Sequence, residues 1–359
     1  MGRPADATSR KPLPADLGLV ASRVEARVTT LLDGETARWQ AEDPTLVEPL
    51  DALRALVMAG GKRLRPVFCH WGHVAAGGDP DADRVVDAGA AFELLQAFAL
   101  IHDDVMDGSA TRRGAPAVHR RFAAAHTERG LAGEDRRFGE GVAILVGDLA
   151  LVYADLLLPD GIPDVAALWH ELRIELNIGQ FLDLAGTATG GVDAVGARRI
   201  ARLKSGRYTI ERPLQLGAHL AGDPAMAAAL SAYGSPLGEA FQLRDDVLGV
   251  FGQEDRTGKP VGDDLQEGKP TLMLAVARER ADDAGLELLA QVGDPDLAPE
   301  VVADLQALFV STGALEVVET EIAALAGRAT AALSGIDGLG AHAEVALRDL
   351  ADFVVARDA

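Results

Sequence analysis

Apolar residues recur at helical spacing along almost the whole chain, and this pattern restricts the fold more than any other feature of the sequence. Helix-length stretches cover 17–32, 47–58, 84–107, 142–158, 165–185, 194–220, 225–251 and 271–280, with further ones reaching Val355. Strand-like alternation is nearly absent. The gaps coincide with helix breakers, at 60–61, 77–80, 114–116, 159–163, 186–191 and 258–270. The apolar share of 48% is mostly Ala, Leu and Val, while aromatics are only 4%, a mix suited to helix-on-helix packing. The predicted class is all-α. Residues 1–15 carry three Pro and no apolar periodicity, so a loose tail is expected ahead of one helical domain over 16–359. The polar, Gly-rich stretch 124–141 is expected to be a mobile connection.

Charge and composition remove several function classes. A formal net charge of -21 disfavours nucleic acid and anionic membrane surfaces, both of which need a positive field. The most apolar stretch, 88–101, falls short of the roughly 18 charge-free residues of a membrane span and holds Glu93 and Gln96. With no apolar leader either, a cytoplasmic protein without a membrane span is expected. The single cysteine, Cys69, permits no internal disulfide and, with His70 and His73, offers too few soft ligands for structural zinc. It is expected to be buried filler. Only five of the 34 basic residues are Lys, namely Lys11, Lys62, Lys204, Lys259 and Lys269. Four of those five sit in Gly-rich or turn-like motifs, where a compact ammonium suits a phosphate group.

Two acidic motifs carry the chemistry. In His102-Asp103-Asp104-Val105-Met106-Asp107, Asp103 and Asp107 share a helix face one turn apart, with Asp104 beside them. Alone, such a cluster is ordinarily a solvated helix end. Here Thr111-Arg112-Arg113-Gly114 follows at once, with Gly114 and Pro116 expected to stop the helix, and the mixture of carboxylates and guanidinium groups suits a metal-phosphate cluster. A second pair, Asp245 and Asp246, follows Gln242 late in another apolar helix. After it come Lys259 and a run from Asp263 to Lys269. Two carboxylate clusters facing one cavity could hold Mg²⁺ on a diphosphate while lysines neutralise the leaving group.

In order and content these elements resemble the trans-isoprenyl diphosphate synthases. The matching set runs from Gly60-Gly61-Lys62-Arg63-Leu64-Arg65-Pro66 through Glu93-Leu94-Leu95-Gln96, both aspartate motifs, Gly147-Asp148, Gly179-Gln180-Phe181-Leu182-Asp183 and Lys204-Ser205-Gly206 to Lys269. The resemblance implies one bundle of antiparallel helices around a deep central cavity, usually as a homodimer. By the same resemblance Asp103, Asp104, Asp107, Asp245 and Asp246, with Gln180, position about three Mg²⁺ ions on an allylic diphosphate. Arg112, Lys204, Lys259 and Lys269 would contact that diphosphate. Lys62, Arg65, Gln96 and Arg113 would bind isopentenyl diphosphate, and Ser205, Gln242 and the Lys204 carbonyl would face the carbocation.

This chain departs from the family pattern at Gly249, where many relatives have a third acidic residue, and at Ser205, where Thr is more usual. Product length in the family follows side chains before the first aspartate motif, here Leu95, Phe98 and Ala99. A small Ala99 beside a large Phe98 resembles geranylgeranyl (C20) synthases, with C15 or C25 as alternatives. A class I terpene cyclase and a non-catalytic partner subunit of a prenyl synthase are the rival readings. The first has no use for the Lys62 and Arg65 anion site, and the second would be expected to have lost charged ligands.

Overall fold

Helix α4, Asp83–Asp107, organises the structure because it is apolar on every side. Ala88 to Leu95 are eight consecutive buried residues, a pattern possible only for a helix enclosed by neighbours. The computed structural model describes residues 15–252 and 262–356. Around α4 lie α1 (Ala15–Glu42), α2 (Val47–Met58), α3 (Leu64–Ala75), α5 (Val118–Glu128) and α6 (Asp135–Leu157). Further along come α7 (Pro163–Ala188), α8 (Ala194–Ile200), α9 (Arg212–Ala221) and α10 (Pro224–Phe251). Shorter helices then lead to Ala314–Leu333 and Ala341–Val355. The fold is all-α, as the periodicity predicts; among the described residues the only strands are the two-residue pieces of one hairpin, Thr111–Arg112 and Ala115–Pro116. Apart from Ala15, which starts α1, the proposed tail lies outside the described residues.

The core has two parts. One is built on α1 to α7, α9 and the first half of α10, and includes Phe68, Cys69, Phe92 and Trp169. The other gathers the end of α10 with the C-terminal helices around Leu274, Phe309 and Leu325. Helix α10 contributes to both and joins them. Cys69 is buried in the first, as expected. Helix α4 is long and apolar enough to cross a membrane, but 61% of its apolar window is buried inside the bundle.

Three expectations need correction. The stretch 124–141 is not an open connection, because α5 runs on to Glu128 and α6 starts at Asp135. The short turn between them is closed by His126 Nε2 against the Ala132 carbonyl (3.1 Å) and by Thr127 donating to Asp135 (2.9 Å). Helix α4 is stopped by Gly108, whose φ of 70° forms its left-handed cap, and not by Gly114. The helix expected over 194–220 is divided, since Ala201–Glu211 is wound with the wider turns of a π-helix between α8 and α9. Pro213 cannot donate the bond that would carry α-geometry across this junction. Gly206 also lies directly against the Gly238 backbone of α10. Long π segments are rare and concentrate at functional sites.

Candidate active site

A cavity of about 490 Å³ opens between α4, α7, the π segment and α10. Asp103 reaches it from α4, Gln180 and Asp183 from α7, Lys204 and Ser205 from the π segment, and Gln242, Asp245 and Asp246 from α10. The close approach at Gly179, where a Cβ would stand 2.3 Å from the Lys204 nitrogen, lets α7 lie against the backbone that carries Lys204. Asp263, Asp264 and Lys269 complete that wall.

Asp103 accepts hydrogen bonds from Gln180 Nε2 (2.9 Å) and Lys204 Nζ (3.2 Å). Lys204 also donates to Asp183 (2.6 Å). Burial opposes ionisation of Asp103, but Lys204, Lys269 and Arg112 outweigh it and hold its carboxyl down at about 2. Beyond the Gly108 cap the chain folds into the hairpin, whose turn residues Arg113 (φ 53°) and Gly114 (φ 74°) both adopt positive φ. That turn sends the two arginines in different directions. Arg112 bonds Asp104, with Nε to Oδ1 at 2.8 Å, whereas Arg113 donates to the Leu56 carbonyl (2.9 Å) and lies over Gly61. Asp104 is 1% exposed and faces Arg112, outside the residues that line the cavity.

Lys62, Arg65 and Gln96 line the same cavity. Arg65 lies 4.3 Å over the Tyr208 ring and donates to Thr209 (2.8 Å), while Tyr208 donates to Gln96 (3.0 Å). Arg63, between Lys62 and Arg65, is turned inward to the buried Glu93 and to Glu25 (3.0 Å). Ala99 lines the cavity, but Phe98 does not: its ring meets His102 edge-on, with centroids 4.7 Å apart. Leu95 is fully buried in the core. Lys259 lies outside the described residues. Asp183 closes a motif quoted above but is given no role there, and Tyr208, Asp264 and Glu267 are not singled out as site residues, yet all four contact groups that are. Tyr208 left no signal, whereas Asp264 and Glu267 belong to the 263–269 run, whose geometry only the fold supplies.

The carboxylates fit a hard divalent cation. Asp107 Oδ2 is buried without a hydrogen-bond partner, an expensive arrangement unless a cation completes it. Burial and then the Asp103 charge push Asp107 up to about 7. Burial also pushes Asp246 up to about 8; Gln242 donates to it (2.7 Å) and opposes the rise, while Asp264 and Asp245 add to it. Both groups therefore hold protons at pH values where an ordinary carboxylate would not. A cation must displace those protons, so Mg²⁺ affinity should increase from about pH 6 to about pH 9, by up to about tenfold per pH unit for each group below its pKa. Without metal the sign reverses for stability: a folded-state pKa above the unfolded one means stability from these groups declines as pH rises from about 4 to about 8. Mg²⁺ titrations followed by calorimetry across that range check this, and a flat profile would contradict it.

The Polyprenyl synthetase profile matches residues 48–308. A geranylgeranyl pyrophosphate synthase from Corynebacterium glutamicum, solved with isoprenyl diphosphate and magnesium, superposes with a TM-score of 0.89 at 39% identity, over 95% of this chain and 99% of that one. This chain belongs to the polyprenyl synthetase family. Among curated polyprenyl synthetases it is 31% identical to the geranylfarnesyl diphosphate synthase of Aeropyrum pernix, over 84% of this chain and 92% of that one. It is 32% identical to the nonaprenyl diphosphate synthase of Mycobacterium tuberculosis, over 92% of each. As a polyprenyl synthetase it is a prenyltransferase with the all-α isoprenoid synthase fold, in a family that uses Mg²⁺. The relatives' names span products of different length.

Proposed function

We propose that this polyprenyl synthetase condenses isopentenyl diphosphate with an allylic diphosphate, using about three Mg²⁺ ions, to give a C20 product. What supports this reading is that one cavity gathers both the acidic residues with their lysines and a second group of basic residues. The cavity is lined on one side by Asp103, Asp245 and Asp246 with Lys204 and Lys269, and also by Lys62 and Arg65. Asp103, Asp107, Asp245 and Asp246 would hold the metal, which when bound polarises the departing diphosphate.

The chain's own groups do the remainder. Lys204 and Lys269, now paired with Asp103, Asp183, Asp264 and Glu267, are placed to turn to the leaving oxygens once diphosphate enters. Lys62 and Arg65 would hold isopentenyl diphosphate so that its double bond meets the allylic carbon. Ser205 and Gln242 present dipoles to the cationic centre, and Leu100, Leu176, Ile200 and Phe241 keep water away from it. The departed diphosphate can accept the final proton, so no protein base is required.

Incubating the purified chain with Mg²⁺, labelled isopentenyl diphosphate and farnesyl diphosphate tests the reading. An elongated diphosphate is expected; a cyclised hydrocarbon would identify a terpene cyclase, and no product a non-catalytic subunit. For product length, Ala99→Phe should shorten the chain toward C15 because it fills a lining position about one helical turn, 5.4 Å, before Asp103. Phe98→Ala, which removes the large ring next to that position in the chain, should lengthen it beyond C20. Chromatography of dephosphorylated products reads both, and unchanged lengths would sink the C20 assignment.

We also infer a cytoplasmic homodimer. Leu145, Val152 and Leu156 form an exposed stripe on α6, and Ile174, Ile178 and Phe181 form another on α7, with spacings of i, i+7 and i+11 and of i, i+4 and i+7. A second copy covering these stripes would explain them, and light scattering after gel filtration would give the mass.

A further inference from the structure

Tyr208, on the π segment, is only 3% exposed yet belongs to the wall of the cavity, and it meets two other residues of that wall. Its hydroxyl donates to Gln96 Oε1 on α4 (3.0 Å), and its ring lies 4.3 Å beneath the Arg65 guanidinium of α3. Thr209, the next residue of the segment, accepts from Arg65 Nη2 (2.8 Å), while Arg65 Nε is buried without a partner. Burial pushes the Tyr208 phenol well above its ordinary range, so it stays a hydroxyl and a donor. An amide has an acceptor end and a donor end. With Oε1 taken by the phenol, Gln96 keeps its two N–H groups for another partner, as an anion requires. A leucine in place of Tyr208 would fill much the same space and hold neither residue.

We propose that Tyr208 is a positioning residue for isopentenyl diphosphate: its hydroxyl fixes the Gln96 amide with the donor end left for the ligand, and its ring holds the Arg65 guanidinium flat. Both groups then meet the diphosphate without first having to be ordered. The inference rests on the prenyltransferase reading above and concerns only the substrate that does not ionise. The Tyr208 hydroxyl is engaged by Gln96, whereas Lys204 of the same segment pairs with Asp103 and Asp183 on the allylic side. A tyrosine that merely filled the core would, when replaced, loosen the whole segment with Lys204 and Ser205, and both substrates would suffer alike.

The test is steady-state kinetics with isopentenyl diphosphate and farnesyl diphosphate varied in turn, backed by calorimetric titration of isopentenyl diphosphate and by thermal melts to confirm folding. Tyr208→Phe keeps the ring and loses the hydroxyl. It should raise the KM for isopentenyl diphosphate about five- to tenfold, with kcat and the KM for farnesyl diphosphate within about twofold of the parent. Tyr208→Leu, which also removes the ring beneath Arg65, should raise it by about thirtyfold or more. Because the hydroxyl acts through Gln96, Tyr208→Phe combined with Gln96→Leu should be no worse than Gln96→Leu alone. An unchanged KM for isopentenyl diphosphate in Tyr208→Phe, equal losses for the two substrates, or losses that add in the double variant would overturn the inference while leaving the prenyltransferase reading intact. A parent chain that neither binds isopentenyl diphosphate nor elongates farnesyl diphosphate would overturn both.

Discussion

Asp103→Ala is expected to reduce kcat by about 10²–10³-fold, as removal of a group that stabilises developing charge does elsewhere. Asp103 is the point where Gln180, Lys204 and Arg112 converge, and it stays ionised at ordinary assay pH because Lys204, Lys269 and Arg112 outweigh its burial and hold its carboxyl at about 2. Its loss frees Lys204 to rest on Asp183 alone, and removes the larger of the two like charges that push Asp107 upward beyond its burial. Asp107 should then titrate lower in the variant than in the parent, a shift that carbon-13 labelling of the aspartates would show. Asp245→Ala should reduce turnover by a similar factor from the opposite wall. Steady-state kinetics with both substrates saturating, on variants with parent-like helical content, is the measurement. Parent-like turnover in either variant would remove the basis for assigning these carboxylates to the metal.

The second large effect is on stability. Arg63→Met should destabilise the fold by about 3–5 kcal/mol, because it leaves Glu93 buried with its ion-pair partner gone. The Arg63 and Glu93 side chains are 1% and 5% exposed, and the guanidinium also donates to the Val57 carbonyl (2.6 Å). Replacing both partners by apolar residues, Arg63→Met with Glu93→Leu, should recover most of the loss, since no charge is then stranded. Urea unfolding of the single and double variants gives both numbers. Additive losses would show that the pair itself is not what holds this corner. The same residue fixes the backbone between Lys62 and Arg65, with Arg63 at φ 48°, so one side chain of a basic motif serves the fold while its neighbours line the cavity.

What can be seen in the chain without its fold is whatever depends on near neighbours. Burying one side of a helix is a repeat of three to four residues, so the helices and most of their breaks can be located from the apolar pattern alone. The spacing of Asp103 and Asp107 places them on one face for the same local reason, and the family pattern of charges extends the list to the second motif and the lysines. The long-range pairings are different. Arg63 finds Glu93 30 residues away, Tyr208 finds Gln96 112 residues away, and Lys204 finds Asp103 101 residues away.

Packing also decided several local conformations. Gly139 fits directly beneath the His119 carbonyl, which brings α6 against α5 where polar composition suggested an open connection. The π segment depends on Pro213 together with the Gly206 and Gly238 contact between helices, and periodicity alone reads through it. Gly249 reads as a missing carboxylate in the chain, and only the fold shows the Asp264 carboxylate lying against it. A residue's chemistry is written in its type, and its partner is set by which helices the core brings together, because apolar burial selects the packing and leaves the polar groups to pair within it.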